Sequence, residues 1–564
     1  MTTNKISTSP EIQHGYGHGE KIGSDPENVL SAVEMEDVKG DHMDYDRVDK
    51  EVAKYISDVA IDISPEENSR LKKLVDRRVL PIMIFTYFLQ ALDKGTLSFA
   101  SIMGIRKDTH LVGQEFSWLT TCIYIAILIV EYPTNWLIQR LPIGKYLGIS
   151  IIVVCAVSSH SSSATNLLLH LRNFTLTTFI KWGATLALHS VATSFTHLVV
   201  LRTLLGIFEA VCQPAFVYLS SMWYKREEQA ATVSYWYMMN GAQQIVGGLL
   251  AYCFTLIKSP PSPIKNWQAI FISYGSFSVL WGIIVVIMMP DSPMRAKCFS
   301  EEDKKLMVER VRSNQTGMQN RRFRKEHVFE AFKDPQMYCY CLIAICTTLP
   351  TSGLGAFANI IITGFHFTVL QTQLLAMVLG VYIIIVLMSS MWLVNRFKQN
   401  VLIMGVYVIP SFVGTIVLMT VKNSNKATQV GLLLSYYIVL SFWAAQTLSM
   451  TLITRNVAGQ TKKSVVVAMN FICWASGNAI GPQVFLAWDA PRYLIAFSTH
   501  MGCYVLLIIV LIFLRWHLRH ENKKKDRLQA EFLAAGTGVV LDTGLAHAFD
   551  DLTDKENMNF RYVF

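Results

Sequence analysis

The sequence predicts an all-α polytopic membrane protein of twelve transmembrane helices in two six-helix lobes. Three observations carry that reading. Of 564 residues, 52% are hydrophobic and 16% charged, with mean hydropathy +0.34, too apolar for an ordinary soluble protein. Apolar runs recur at about the 20 residues that cross a hydrocarbon core. A long charged loop, 291–336, splits those runs into equal halves.

The elements follow in order. Residues 1–64 are polar and acid-rich, which predicts a disordered cytosolic tail. In Pro65–Arg78, Leu71, Leu74 and Val75 recur at helical spacing among Arg70, Lys72, Lys73, Arg77 and Arg78, predicting an amphipathic lead-in helix on the membrane surface. Spans are expected near 79–103, 116–139, 146 onward, 198–222, 233–257 and 267–289, making a first lobe over 79–290. After the cytosolic central loop, 291–336, come 337–363, 371–394, 401–421, 429–453, 464–488 and 493–515, a second lobe over 337–516. Residues 517–564 form a C-terminal tail. Cations crowd the loops after even-numbered spans, such as Lys225 and Arg226, Arg396 and Lys398, and Arg455, Lys462 and Lys463. By the positive-inside rule both termini are cytosolic, and the location is a membrane, most simply the plasma membrane. The net charge of +9 therefore reports orientation and implies no nucleic acid.

The third span is anomalous. Tyr146–Val153 begins it, but 154–181 interposes Ser158 to Ser163, Asn166, His170 and Arg172 before apolar character returns at Trp182. Removing 154–181 restores one span of ordinary length. The segment is either a retained intron, since Val154-Cys155 is encodable by a splice-donor-like pattern, or a genuine re-entrant or luminal insertion.

Ionisable residues inside apolar runs are the strongest functional signal, because a charge at bilayer depth costs at least about 2.5 kcal/mol. Arg202 and Glu209 lie seven residues apart in the fourth span, within about 20° on one helix face. They read as a proton or ion pathway, or as a structural ion pair. In the first span Asp93 and Lys94 are adjacent, about 100° apart on a helix, so each needs its own partner. One arrangement pairs Asp93 with Arg202 and leaves Lys94 or Glu209 facing ligand; Lys94 snorkelling to the interface is the alternative. Asn240, Gln243 and Gln244 in span five and Asn478 in span eleven fit substrate contact or helix-to-helix hydrogen bonding, which nearby Gly241, Gly247, Gly248, Gly477 and Gly481 would favour. The ten cysteines show no CxxC or metal spacing, and no metal or other cofactor is expected beyond a proton gradient. Without a phosphate-cradling loop or nucleophile elbow, an ATP-driven pump or membrane enzyme is disfavoured.

Several blocks resemble known families. Pro133 to Lys145 is similar to the cytoplasmic loop of the major facilitator superfamily, with Thr134 or Asn135 where a glycine is usual and Gln139 where an aspartate is usual; Arg140, Gly144 and Lys145 retain its gating positions. Pro290-Asp291-Ser292-Pro293, Glu301-Glu302-Asp303-Lys304 and Glu309 to Gly317 resemble the central loop of the anion:cation symporter family in its fungal allantoate-permease branch. Asn456 to Lys463, Gly477 to Gln483 and Asp489 to Tyr493 agree.

The resemblance implies the major facilitator fold, a midplane site between lobes and alternating access. It also implies proton-coupled uptake of a small organic anion, such as the ureide allantoate, a vitamin or another carboxylate. The proton-coupling residues it implies are Asp93, Glu209 and Arg202; Lys94 and Arg202 would help hold the anion, linking binding to protonation through a cation. Partners would be the anion, protons and the bilayer, with the chain a monomer. Export of an acidic metabolite and a non-transporting nutrient receptor are the alternative functions.

Overall fold

The computed structural model describes residues 63–140, 182–210, 216–257 and 264–312 with short gaps, 324–534, and 553–564 with a gap at 558–559. All belong to one compact unit, Tyr55–Phe564. The expected polar tail, the segment 154–181 and the gating positions Gly144 and Lys145 lie outside the described residues; Arg140 ends the helix of span two.

The described elements are helical. In the first lobe they include span one (Leu80–Ile102), span two (Glu115–Arg140), span four from Phe195 to Glu209, span five (Met239–Leu256) and span six (Asn266–Met288). Span three is described from Trp182 onward. In the second lobe they are span seven (Pro335–Gly364), span eight (Val369–Phe397), span nine (Asn400–Thr420), span ten (Lys426–Asn456), span eleven (Gln460–Ile480) and span twelve (Leu494–Ala534). Two linker helices, Glu301–Arg312 and Lys325–Lys333, lie between the lobes in sequence and mark one end of the bundle, here the linker end.

Local chemistry sets the boundaries. Asp334 accepts from the Gln336 amide at 3.1 Å and Pro335 occupies the first turn, starting span seven where a missing N–H costs nothing. Thr368 and Gln371 form a reciprocal cap on span eight, and Asn425 and Thr428 do the same for span ten. Span ten passes through a 3₁₀ turn at Leu440–Phe442. Span twelve departs from the expected end near 515. No Gly or Pro interrupts Arg515 to Ala534, so the helix continues to 41 residues, about 60 Å at 1.5 Å per residue and twice a hydrocarbon core.

Small residues let helix backbones touch. A Cβ at Gly241 would stand 2.8 Å from the Gly380 carbonyl, joining spans five and eight, and one at Gly353 would stand 2.8 Å from the Gly481 carbonyl, joining spans seven and eleven. Large apolar residues such as Ile385, Met388, Ile409, Ile509 and Ile512 are exposed, as a lipid-facing surface requires.

The lead-in helix, Pro65–Arg78, packs against the protein. Leu71 and Val75 are buried against Trp223, Tyr224, Phe299 and Met307, so the helix packs on the linker end of the first lobe. Arg310 locks that packing, donating to both oxygens of Glu228 at 2.6 and 2.7 Å and to Asn68 at 2.7 Å. At the opposite end the lobes bond to each other. Thr121 of span two donates to the Ala479 carbonyl at 2.8 Å and accepts from Gln483 at 2.9 Å, and Gln373 of span eight donates to Thr255 of span five at 2.8 Å.

Candidate functional site

Span one directs two adjacent charges to two different helices. Gln90 and Lys94, one turn apart, share a face that meets span four. Lys94 Nζ lies 2.7 Å from Glu209 Oε1, and Gln90 Nε2 donates to the same oxygen at 2.9 Å. Asp93, rotated off that face, accepts at Oδ2 from the Trp182 indole N–H at 2.7 Å. Asp93 and Arg202 form no ion pair among the described residues, so the cation that reaches a carboxylate here is Lys94. Lys94 has not snorkelled away: its side chain is 29% exposed and that of Glu209 2%.

Arg202 is 1% exposed, with its guanidinium 5.7 Å above the Phe271 ring. His189 stacks on the same ring at 5.2 Å and 9°, tied through Nδ1 to the Thr185 carbonyl at 2.8 Å, and Trp267 meets the ring edge-on at 6.2 Å. Among the described residues, Arg202 Nε and Nη2, Asp93 Oδ1 and Glu209 Oε2 are buried without a hydrogen-bond partner. Such groups are costly when left unpaired. Gly206, between Arg202 and Glu209, brings span four against span two: a Cβ there would stand 2.6 Å from the Ile123 carbonyl.

The amides divide. Gln243 is 7% exposed, has an unpartnered Oε1, and presents that atom 2.6 Å from where a Gly95 Cβ would be, beside Lys94. Asn240 donates to the Tyr87 hydroxyl at 3.2 Å and the Tyr237 carbonyl at 2.8 Å. Gln244 lies toward span eight, its Cβ 3.0 Å from a Gly380 Cβ. Asn478 donates to the Trp474 carbonyl at 2.8 Å within its own helix, and its carbonyl accepts from Ser352 of span seven at 2.7 Å. The contacts of the last two residues are with neighbouring helices or their own, away from Lys94 and Glu209.

Gln90 and Trp182 escaped the sequence reading. The spacing of Gln90 to Lys94 was a usable signal; for Trp182 there was none, since its partner is 89 residues distant. In the described residues no group of His, Cys, Asp and Glu has the arrangement of a metal site.

Comparison with known proteins supplies the wider identity. The Major Facilitator Superfamily profile matches residues 83–482. The chain is 29% identical to "Allantoate permease" of Saccharomyces cerevisiae over 92% of this chain and 90% of that one. It is 30% identical to "Thiamine pathway transporter THI73" of the same organism, over 89% and 87%. Among solved structures, the xylose transporter XylE from E. coli in a partially occluded inward open conformation aligns with TM-score 0.56 and 11% identity, covering 76% of this chain and 96% of that one, a likeness of fold alone. This chain is accordingly a multi-pass membrane transporter and not an enzyme, and it belongs to the Major Facilitator Superfamily.

Proposed function

We propose that the protein imports a small organic anion together with a proton, across the plasma membrane, as a monomer with both termini in the cytosol. The observation that carries this is the ion pair between half-buried Lys94 and buried Glu209, beside a buried guanidinium with unpartnered donors. Asp93 and Glu209 against Lys94 and Arg202 make a set of balanced formal charge. A carboxylate entering that set leaves one buried negative charge uncompensated, which is strongly unfavourable. A proton on Glu209 restores the balance and frees Lys94 to hold the incoming anion, so binding and protonation favour each other. Release toward the cytosol reverses both steps, with Lys94 returning to Glu209. Gln243, against Gly95, is placed to contact the bound molecule, and Arg202 offers it a second cation. The names of the two yeast relatives support a ureide, a vitamin precursor or a similar carboxylate as the substrate class.

The test is uptake by proteoliposomes under an inward proton gradient, using a panel of labelled anions that includes allantoate and nicotinate. Glu209→Gln abolishes gradient-driven accumulation while preserving exchange of internal for external substrate. Accumulation by the variant equal to that of the wild type would remove Glu209 from coupling.

A further inference from the structure

At the linker end of the second lobe, the chain returns after residue 552 to lie along the bundle, and the fit is detailed. Asn456, at the end of span ten, exchanges two hydrogen bonds with the backbone of Val563, both 2.8 Å, and Asn522, on the extension of span twelve, exchanges two with the backbone of Tyr562, both 2.9 Å. Two asparagines thus read the N–H and C=O of two successive residues, each amide donating one bond and accepting one. Lys525 donates to the carbonyls of Asp554, Asn557 and Phe560, and Arg515 and Arg519 stand 5.4 and 5.1 Å from the Phe564 ring.

Charge adds to the backbone reading. Lys462, in the first turn of span eleven, has a fully buried side chain facing Glu330, Asp334 and Asp554 at 2.9, 2.8 and 2.7 Å. One of those three carboxylates belongs to the returning segment, and its other oxygen accepts from the Tyr562 hydroxyl at 2.7 Å. Thr553, fully buried, donates to Glu330 at 3.0 Å. Gly459 makes room: its φ is +83°, and a Cβ there would stand 3.1 Å from the Thr553 methyl.

We propose that this face is a peptide-docking groove whose ligand is the chain's own segment Thr553–Phe564, a strap recognised by an acid at 554, backbone at 562 and 563, and aromatic rings at 562 and 564. While docked, the strap fastens the second linker helix, through Glu330, to spans ten, eleven and twelve. A negative charge at position 553 would enter a site already holding three carboxylates around one lysine, so it would oppose docking and favour release. The inference is independent of what the protein transports.

The test uses a fluorescent synthetic peptide of residues 553–564 and purified protein in nanodiscs, with binding read by anisotropy. The peptide binds saturably to the chain truncated after residue 552 and not to the full chain, whose groove is occupied. Asn456→Ala with Asn522→Ala in the truncated chain weakens binding at least tenfold, as does Thr553→Asp in the peptide. Equal binding to the full and truncated chains, or equal binding by the groove variant, overturns the proposal; equal binding of the Asp peptide overturns the release by charge. Should truncation spoil the fold, hydrogen exchange on the intact chain decides: the Tyr562 and Val563 amides are protected if the strap is docked, and exchange at the rate of free peptide if it is not.

Discussion

Two lysines, the half-buried Lys94 in the middle of the first lobe and the fully buried Lys462 at the linker end of the second, sit in clusters of similar composition and opposite character. Lys462 has three carboxylates for the three protons of its ammonium, and none of their oxygens is left buried and unpaired. Lys94 has one carboxylate, and around it stand unpartnered atoms of Asp93, Glu209 and Arg202. A saturated cluster holds structure together because every exchange of partner loses a bond. An unsaturated one at membrane depth can change partners without losing a bond, which is what the proposed coupling of a proton and an anion requires. Cluster saturation, more than charge count, separates the fastening from the proposed site.

The comparison breaks most visibly at Lys462. Lys462→Ala takes the central cation from three carboxylates, leaving Asp334 with the more distant Lys555 at 3.8 Å, and costs about 3–5 kcal/mol; thermal unfolding in detergent shows a large drop, and an unchanged midpoint would mean the cluster is not structural. Arg202→Ala has the next largest effect but on function: accumulation and exchange both fall about 100-fold, worth ~3 kcal/mol, with the unfolding midpoint nearly kept. A variant that loses stability and activity in proportion would erase the distinction between the clusters. Gln90→Leu sharpens it further. Glu209 then keeps Lys94 but loses its neutral donor, and half-saturating substrate in uptake assays shifts about tenfold or less.

The smallest effect lies outside the membrane. Asp108, between spans one and two, meets Lys265 at 2.8 Å and the Trp267 indole at 2.7 Å. Burial alone would raise its carboxyl, but these hydrogen bonds hold it below the usual range. A carboxyl lowered by folding adds stability at neutral pH and loses it as pH falls through that lowered value. With Lys265 well exposed, Asp108→Asn costs within about 1 kcal/mol, and the difference in unfolding midpoint shrinks in acid.

Much of the architecture was legible because lipid imposes it. Runs of about 20 apolar residues and the charged loop at 291–336 each have one physical meaning. The end of span twelve was not, since hydropathy marks where the bilayer stops and not where the helix does. The ionisable residues of spans one and four stood out for the same energetic reason, yet their partners were hidden. Adjacent positions 93 and 94 had to diverge by about 100°. Which charge met which neighbour depended on how span one is rotated against spans three and four.

The sequence by itself determined that four charged side chains lie at membrane depth and that helices enclose them, because leaving hydrocarbon is costly for any such chain. Only the tertiary structure decided that Lys94 and not Arg202 holds a carboxylate, that Trp182 holds the other, and that residues 553–564 return to cover Lys462. Hydropathy is a property of each residue and its near neighbours, whereas pairing depends on rotation and contact between helices far apart in the chain.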